Sequence, residues 1–448
     1  MECKVLRWRL LSPASSRKKS LTDVSDNMKP RIALALSGGG FRASIFHLGM
    51  LRRLAELGWL PEVDVISTVS GGSIVGAFAV QRWNSFLAAG GDAKAFETVI
   101  STPFVERVQA HNFLLKWLVS SWRWPFRKIS SKAFTRTQAA AELFDDIFFD
   151  GQRCDSLPSR PVLIINATNL QSIRAWRFTK FGMGDSRVGH ATWRTKALKL
   201  SVCVGASAAF PPVFPPVRIV RGDYTFAAPI YQESPLSEYP LIPLSDGGVY
   251  DNSGLEALTK SVKVPGYDEL IEPAELLVVS DGGAPANYEF DASGIPALSD
   301  AVLLYRVDGI SRQQVSALRT RSLMTEFMKG NMRGILAGLA SSVRNMPADK
   351  YRQYCETVNL TCQMPEDLLL PLRRLRTSLD RFNRIETEAL MYHAYSLTDA
   401  FAWCYRDTFA DRFRVSGLSG SWRISFDPGI VAAWKSELEQ GAKPFQFR

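Results

Sequence analysis

The chain has 448 residues, 46% apolar, 11% aromatic and 22% charged; that balance excludes a disordered polypeptide and suits one large domain with an appended region, or two domains. A formal charge of +10 points to anionic partners, with lipid headgroups and nucleic-acid phosphates equally compatible and a merely soluble basic surface as the plain alternative. No stretch approaches the roughly 18 apolar residues of a membrane span, and six scattered cysteines without C-x-x-C spacing argue against zinc and a dense disulfide framework, leaving reduced thiols in a cytoplasmic protein.

Residues 1–30 carry Lys4, Arg7, Arg9, Arg17, Lys18 and Lys19 without an apolar core, which reads as a frayed basic tail or weak surface-binding arm and not a signal peptide. From Arg31 the order is regular. "RIALALS" is a short buried strand, "GGGFRA" a glycine turn, and the following stretch a helix with Ile45, Leu48, Leu51 and Leu54 on one stripe. "VDVISTV" is a second strand, followed by a tight polar turn and a second helix. Strand, glycine turn, helix, strand, turn, helix predicts a parallel α/β sheet. Further strands are expected at 161–168, 173–180, 240–245 and 275–280, with helices near 195–208 and over 253–260. Beyond about residue 295 the pattern is mostly helical and Arg-rich. That region (291–448) is expected to pack as an extension on a body spanning 31–290.

Residues 111–136 stand apart, with six basic residues, six Phe or Trp and no acid. Trp117, Trp122 and Trp124 beside Arg123, Arg127 and Lys128 form a basic-aromatic patch suited to a lipid interface. Stacking and charge would also suit single-stranded nucleic acid, and a lid whose tryptophans are simply core is the plain alternative. Membrane contact ranks ahead of nucleic acid, which is not expected as a substrate.

Two stretches carry chemistry. The turn Gly38–Gly40, between strand and helix, exposes backbone N–H groups at a helix N-terminus, where an oxyanion or phosphate is stabilised. It has neither the Walker sequel nor the dinucleotide spacing. Arg42 is placed to hold a phosphate headgroup or to complete a surface ion pair. The second stretch is "STVSGGS", residues 67–73. A nucleophile elbow puts a serine on a tight strand-to-helix turn with small residues two before and two after. Ser70 fits with Gly72 after it, but Thr68 stands where glycine is usual; a plain Gly-Ser turn is the alternative. Ser67 belongs to the strand and Ser73 to the helix start. The four histidines (His47, His111, His190, His393) have no context of a general base. Asp246 and Asp281, each at a strand end before Gly-Gly, are candidates to take the serine's proton, or are turn formers.

In order along the chain, "GGGFRA", "STVSGGS", "ASAAFPPVFPPV" (206–217) and "DGGVYDNSGLEAL" (246–258) resemble the patatin-like phospholipases, over about residues 31–290. The resemblance implies a three-layer α/β/α fold with a mainly parallel sheet and a Ser-Asp dyad acting on lipid esters. By position, Ser70 falls on the nucleophile, Asp246 on the aspartate of the Asp-Gly-Gly motif, and Gly38, Gly39, Gly40 and Arg42 on the oxyanion-hole motif. Asp281 lacks the "VYDN" sequel. The expectation is a cytoplasmic acyl hydrolase, needing no metal or other cofactor, that acts on membrane phospholipid and touches anionic membrane peripherally. A catalytically silent or ligand-gated lipid- or nucleotide-sensing module on the same fold, including a defence effector activated by a cyclic nucleotide, is the alternative.

Overall fold

The computed structural model describes residues 29–121, 135–193, 197–227, 238–267, 270–283, 299–357, 363–409, 413 and 420–442. Its strands are β1 (Ile32–Leu36), β2 (Val63–Val69), β3 (Val162–Asn169), β4 (Arg174–Phe178), β5 (Gly182–Asp185), β6 (Gly189–Thr192), β7 (Val217–Val220), β8 (Leu241–Asp246), β9 (Val262–Lys263), β10 (Leu270–Ile271), β11 (Leu276–Asp281) and β12 (Gly334–Gly338). The helices that matter below are α1 (Gly40–Glu56), α2 (Gly71–Gln81), α3 (Leu200–Ser207), α4 (Gly248–Asp251), α5 (Ser299–Met328), α6 (Glu366–Arg374), α7 (Arg384–Cys404) and α8 (Pro428–Gly441).

One sheet of mixed strands, flanked by helices, organises the molecule in the order β12-β11-β1-β2-β3-β4-β5-β6. From β12 to β3 neighbours are parallel; from β3 to β6 they are antiparallel. Strand alternation divides the interior. Ile32, Leu34 and Leu36 of β1 join the larger core, while Ala33 and Ala35 join a smaller one with Leu277, Val279, Leu255, Leu258 and Leu323. A sheet buried on both faces needs such two-sided strands, which explains the unbroken apolar text of "IALAL".

One register detail positions everything that follows. On β3, Asn166 pairs with Val69, the last residue of β2, and the next residue, Ala167, pairs with Asp246, the last residue of β8. Where β2 ends and the chain turns away, β8 takes its place on the same edge of β3. Ser70, which follows Val69, and Asp246 are thereby brought together from 176 residues apart in sequence.

Two expected elements differ. The helix expected over 253–260 does not form. The Asp251 carboxylate accepts from the N–H groups of Ser253 and Glu256 and from the Ser253 hydroxyl, and Gly254 turns left-handed at φ 70°; these local bonds hold the backbone in turns instead of a helix. The C-terminal region contributes a strand, β12, parallel to β11; five residues bounded by glycines are too short for periodicity to reveal. That region is anchored internally. α7 packs along α1, where Arg53 pairs with Asp399 at 2.7 Å, both buried. Among the described residues no helix is long and apolar enough to cross a membrane.

Candidate active site

Ser70 sits at the corner between β2 and α2 with φ 50° and ψ −116°, a conformation a non-glycine residue adopts only under strain of roughly 1–3 kcal/mol. The neighbours make the corner possible. A Cβ on Gly71 would lie 2.1 Å from the Gly40 carbonyl oxygen, and one on Gly72 would lie 2.3 Å from the Leu36 carbonyl oxygen. Thr68 is accommodated from the helix side. A Cβ on Gly76 would stand 2.6 Å from the Thr68 Cγ2, so the glycine missing from the strand is matched by one on the helix. The Thr68 hydroxyl donates to Ile164 O at 3.2 Å and accepts from Ser73 at 2.9 Å. Ser73, in the first turn of α2, thus binds the strand and does not cap the helix.

The Asp246 carboxylate faces the Ser70 corner, close enough for the Ser70 side chain to favour its ionised form. Asp246 is 3% exposed, and its Oδ1 accepts from the Gly248 N–H at 2.6 Å. Burial pushes its carboxyl up to about 6, against the hydrogen bond from Gly248, the nearby Ser70 side chain and the positive charge of Arg312. A carboxylate so displaced is a stronger base than an exposed one and still ionised at neutral pH.

The glycine turn lies directly beside Ser70: a Cβ on Gly38 would reach within 3.1 Å of the Ser70 Cβ. The Gly38 N–H donates to Asn252 O at 2.9 Å and is spent there, which corrects its place among the expected oxyanion donors. The N–H groups of Gly39 and Gly40 meet no acceptor among the described residues, and Gly71, whose N–H opens α2, lies against Gly40. Gly39 (φ 146°) and Gly40 (φ 61°) have left-handed backbones that only glycine adopts freely.

The sequence model of the patatin-like phospholipases matches residues 34–259. The chain belongs to the patatin-like phospholipase family. Solved structures similar to it include human GIVD cytosolic phospholipase A2 in complex with methyl gamma-linolenyl fluorophosphonate, at 11% identity and TM-score 0.44 over 92% of this chain and 59% of that one. VipD from Legionella pneumophila is similar at 14% identity and TM-score 0.32, over 83% of this chain and 66% of that one. The patatin-like chain therefore spans about three fifths of the length of the human protein. No curated protein matches it by sequence.

Within this patatin-like site, two expectations change, those for Arg42 and Trp117. Arg42 is 2% exposed and donates to the carbonyls of Leu375 at 2.8 Å, Gly282 at 3.2 Å and Arg373 at 3.5 Å. It clamps the C-terminal region to the glycine turn, and neither a headgroup nor a surface ion pair is within its reach. Trp117 is 3% exposed, lies against Phe214 and donates its indole N–H to Arg136 O at 3.0 Å, so it is a core tryptophan and not a membrane contact. The exposed side chains described on its helix are Leu115, Lys116, Leu118 and Val119. Trp122, Arg123, Trp124, Arg127 and Lys128 lie outside the described residues. The other aspartate, Asp281, accepts from the Gly283 N–H at 2.9 Å as a turn former. His47, buried and held neutral at about 4, braces the glycine turn through Ser37 O at 2.9 Å and Ser280 Oγ at 2.7 Å.

Three residues escaped sequence reasoning. Ser207 accepts from the Ser70 N–H at 2.9 Å, donates to Asn166 O at 2.6 Å and touches Ser73 Oγ at 2.8 Å. Its carbonyl accepts from the Gly247 N–H at 3.1 Å, so one residue ties the serine corner to the aspartate turn. The signal was the small-residue block "ASAAFPP", quoted for resemblance but given no role. Asn252 joins the Gly38 turn to α4 in the same way. Arg312, from α5, is the third.

Proposed function

We propose that this chain is a phospholipase A-type serine acyl hydrolase whose nucleophile is Ser70 and whose general base is Asp246. The observation that carries the reading is the strained Ser70 corner facing a buried Asp246 carboxylate raised to about 6, beside the N–H groups of Gly39 and Gly40, which meet no acceptor among the described residues.

In the reaction, Asp246 takes the Ser70 hydroxyl proton as Oγ attacks the carboxylic ester carbon. The carbonyl electron pair moves to oxygen, which receives hydrogen bonds from the N–H groups of Gly39, Gly40 and Gly71. Collapse breaks the ester C–O bond, and the alcohol leaves with the proton held by Asp246. Water then gives a proton to Asp246 and attacks the acyl-enzyme; fatty acid departs and the Ser70 hydroxyl is restored. Burial of Asp246 supplies basicity without a histidine, in keeping with four histidines none of which bonds Ser70 among the described contacts.

Within the same reading, the basic segment 111–136 and the net charge of +10 favour an anionic membrane surface. Fatty-acid release from phospholipid vesicles tests the function. Wild type should release it, fastest from anionic vesicles, and Ser70→Ala and Asp246→Asn should not; release by Ser70→Ala at the wild-type rate would remove the assignment.

A further inference from the structure

With Arg42 buried against three carbonyls, the expected phosphate ligand is unavailable, and a phosphodiester next to the scissile ester would lack a cation. A different arginine, Arg312, is close enough to Asp246 for its charge to favour the carboxylate. Helix α5 lies outside the matched region 34–259 and packs on α4, the helix that follows Asp246. Along it Arg312, Ser316, Arg319 and Leu323 recur at i, i+4, i+7 and i+11, one inward-facing stripe. Leu323, 2% exposed, anchors the stripe in the smaller core. Arg319 reaches Asp251 of α4 at 3.6 Å and lies over the Tyr250 ring.

Two turns away on the same face, the Arg312 guanidinium lies 4.7 Å from the centroid of Phe210. Phe210 follows Ala209, whose carbonyl accepts the Asp246 N–H at 3.0 Å. Arg312 is therefore held over the loop that fixes the aspartate, and its charge bears on Asp246. Its Nε donates to Asp308 at 2.7 Å, while its Nη groups meet no acceptor among the described residues. Asp308 is 55% exposed, and an ion pair that wet is held weakly. The guanidinium thus keeps a two-donor edge for an incoming anion, in the geometry that matches phosphate.

From this we infer that Arg312 binds the phosphodiester of the substrate at the mouth of the Ser70 site, and so selects phospholipid over neutral glyceride. The inference rests on the acyl-hydrolase reading above and adds the residue that recognises the phosphate of its substrate.

Two soluble substrates with identical acyl chains isolate it: dihexanoyl phosphatidylglycerol and dihexanoylglycerol, at pH 8. Wild type should prefer the phospholipid. Arg312→Ala should reduce the ratio of the two kcat/KM values by roughly 10–100-fold, the range of a charge-assisted hydrogen bond pair, with Arg312→Lys between. Arg321→Ala, an exposed arginine on the opposite face of the same helix, should leave the ratio as it is. A ratio unchanged in Arg312→Ala, or a wild type that hydrolyses both substrates equally, overturns the role of Arg312 while leaving the hydrolase intact. A wild type that hydrolyses neither and takes no fluorophosphonate label overturns the acyl-hydrolase reading itself, and this inference with it.

Discussion

Thr68 and Gly76 are a matched pair: the Thr68 γ-methyl fills the space on β2 that a Cβ at position 76 of α2 would need, 2.6 Å from it. Strand and helix must approach closely below the Ser70 corner, and either member can be the small one. Gly76→Ala should therefore destabilise the protein by about 1–3 kcal/mol through overpacking. Thr68→Ser, which removes the methyl and keeps the hydroxyl bonds, should recover most of that loss in the double variant. Urea unfolding of the four members of the cycle measures the coupling; additive losses would contradict the pairing.

Ser207 is the second position whose role is specific. Replacing it by Ala takes the acceptor from the Ser70 N–H and the donor from Asn166 O, both in a buried setting. The expected cost is about 1–3 kcal/mol of stability. Because the strained corner itself relaxes, kcat for a soluble ester should also fall by roughly 10–100-fold with KM little changed. Steady-state kinetics on folded protein checks this, and an unaltered kcat would show that Ser70 holds its conformation without Ser207.

The displaced carboxyl of Asp246 predicts two pH effects. As a base it must be ionised, so kcat should climb about tenfold per pH unit below about 6 and level off above it. Removing Arg312, whose charge favours the carboxylate, should move that midpoint upward. For stability the sign is opposite to that of an ordinary aspartate. Between about 4, where the unfolded group titrates, and about 6, the folded chain holds a proton the unfolded chain has lost. This contribution is full below about 4 and is lost as pH rises through 6, by about 3 kcal/mol in all. Asp246→Asn removes the slope, so its unfolding free energy relative to wild type should rise between pH 4.5 and pH 8. Parallel pH dependences in the two proteins would contradict a buried, proton-holding Asp246.

Arg42→Met should act on folding. It leaves the carbonyls of Leu375 and Gly282 without their donor and releases the C-terminal region from the glycine turn. A loss of about 2–4 kcal/mol is expected in thermal or urea unfolding. The phospholipid-to-glyceride preference of the folded protein should persist, and its disappearance would return Arg42 to the headgroup.

How much of this was legible beforehand follows from which forces act locally. Strands at 32–36, 63–69, 162–169 and 276–281 were readable because two-sided burial writes itself as apolar runs. Ser70 was readable because a tight strand-to-helix corner demands Gly71 and Gly72. What brings Asp246 to Ser70 was not, since it lies in the consecutive pairings of Asn166 and Ala167 on β3, a matter of register between distant segments. Arg42 misled for a related reason: an arginine beside a glycine turn looks like an anion ligand until residues 373–375, more than 300 positions away, deliver carbonyls to it. Arg312 carries no local signature, and the small-residue block around Ser207 does not by itself say what that serine bonds, because the partners of both belong to other elements.

The central claim is that Ser70 is a nucleophile activated by Asp246. Its most direct measurement is covalent labelling of the intact chain with a fluorophosphonate, followed by peptide mass spectrometry. Expected is one adduct per chain, on Ser70, formed slowly in Asp246→Asn and absent in Ser70→Ala. A folded wild-type chain that takes no label, or one labelled on another residue and still labelled in Ser70→Ala, would contradict it.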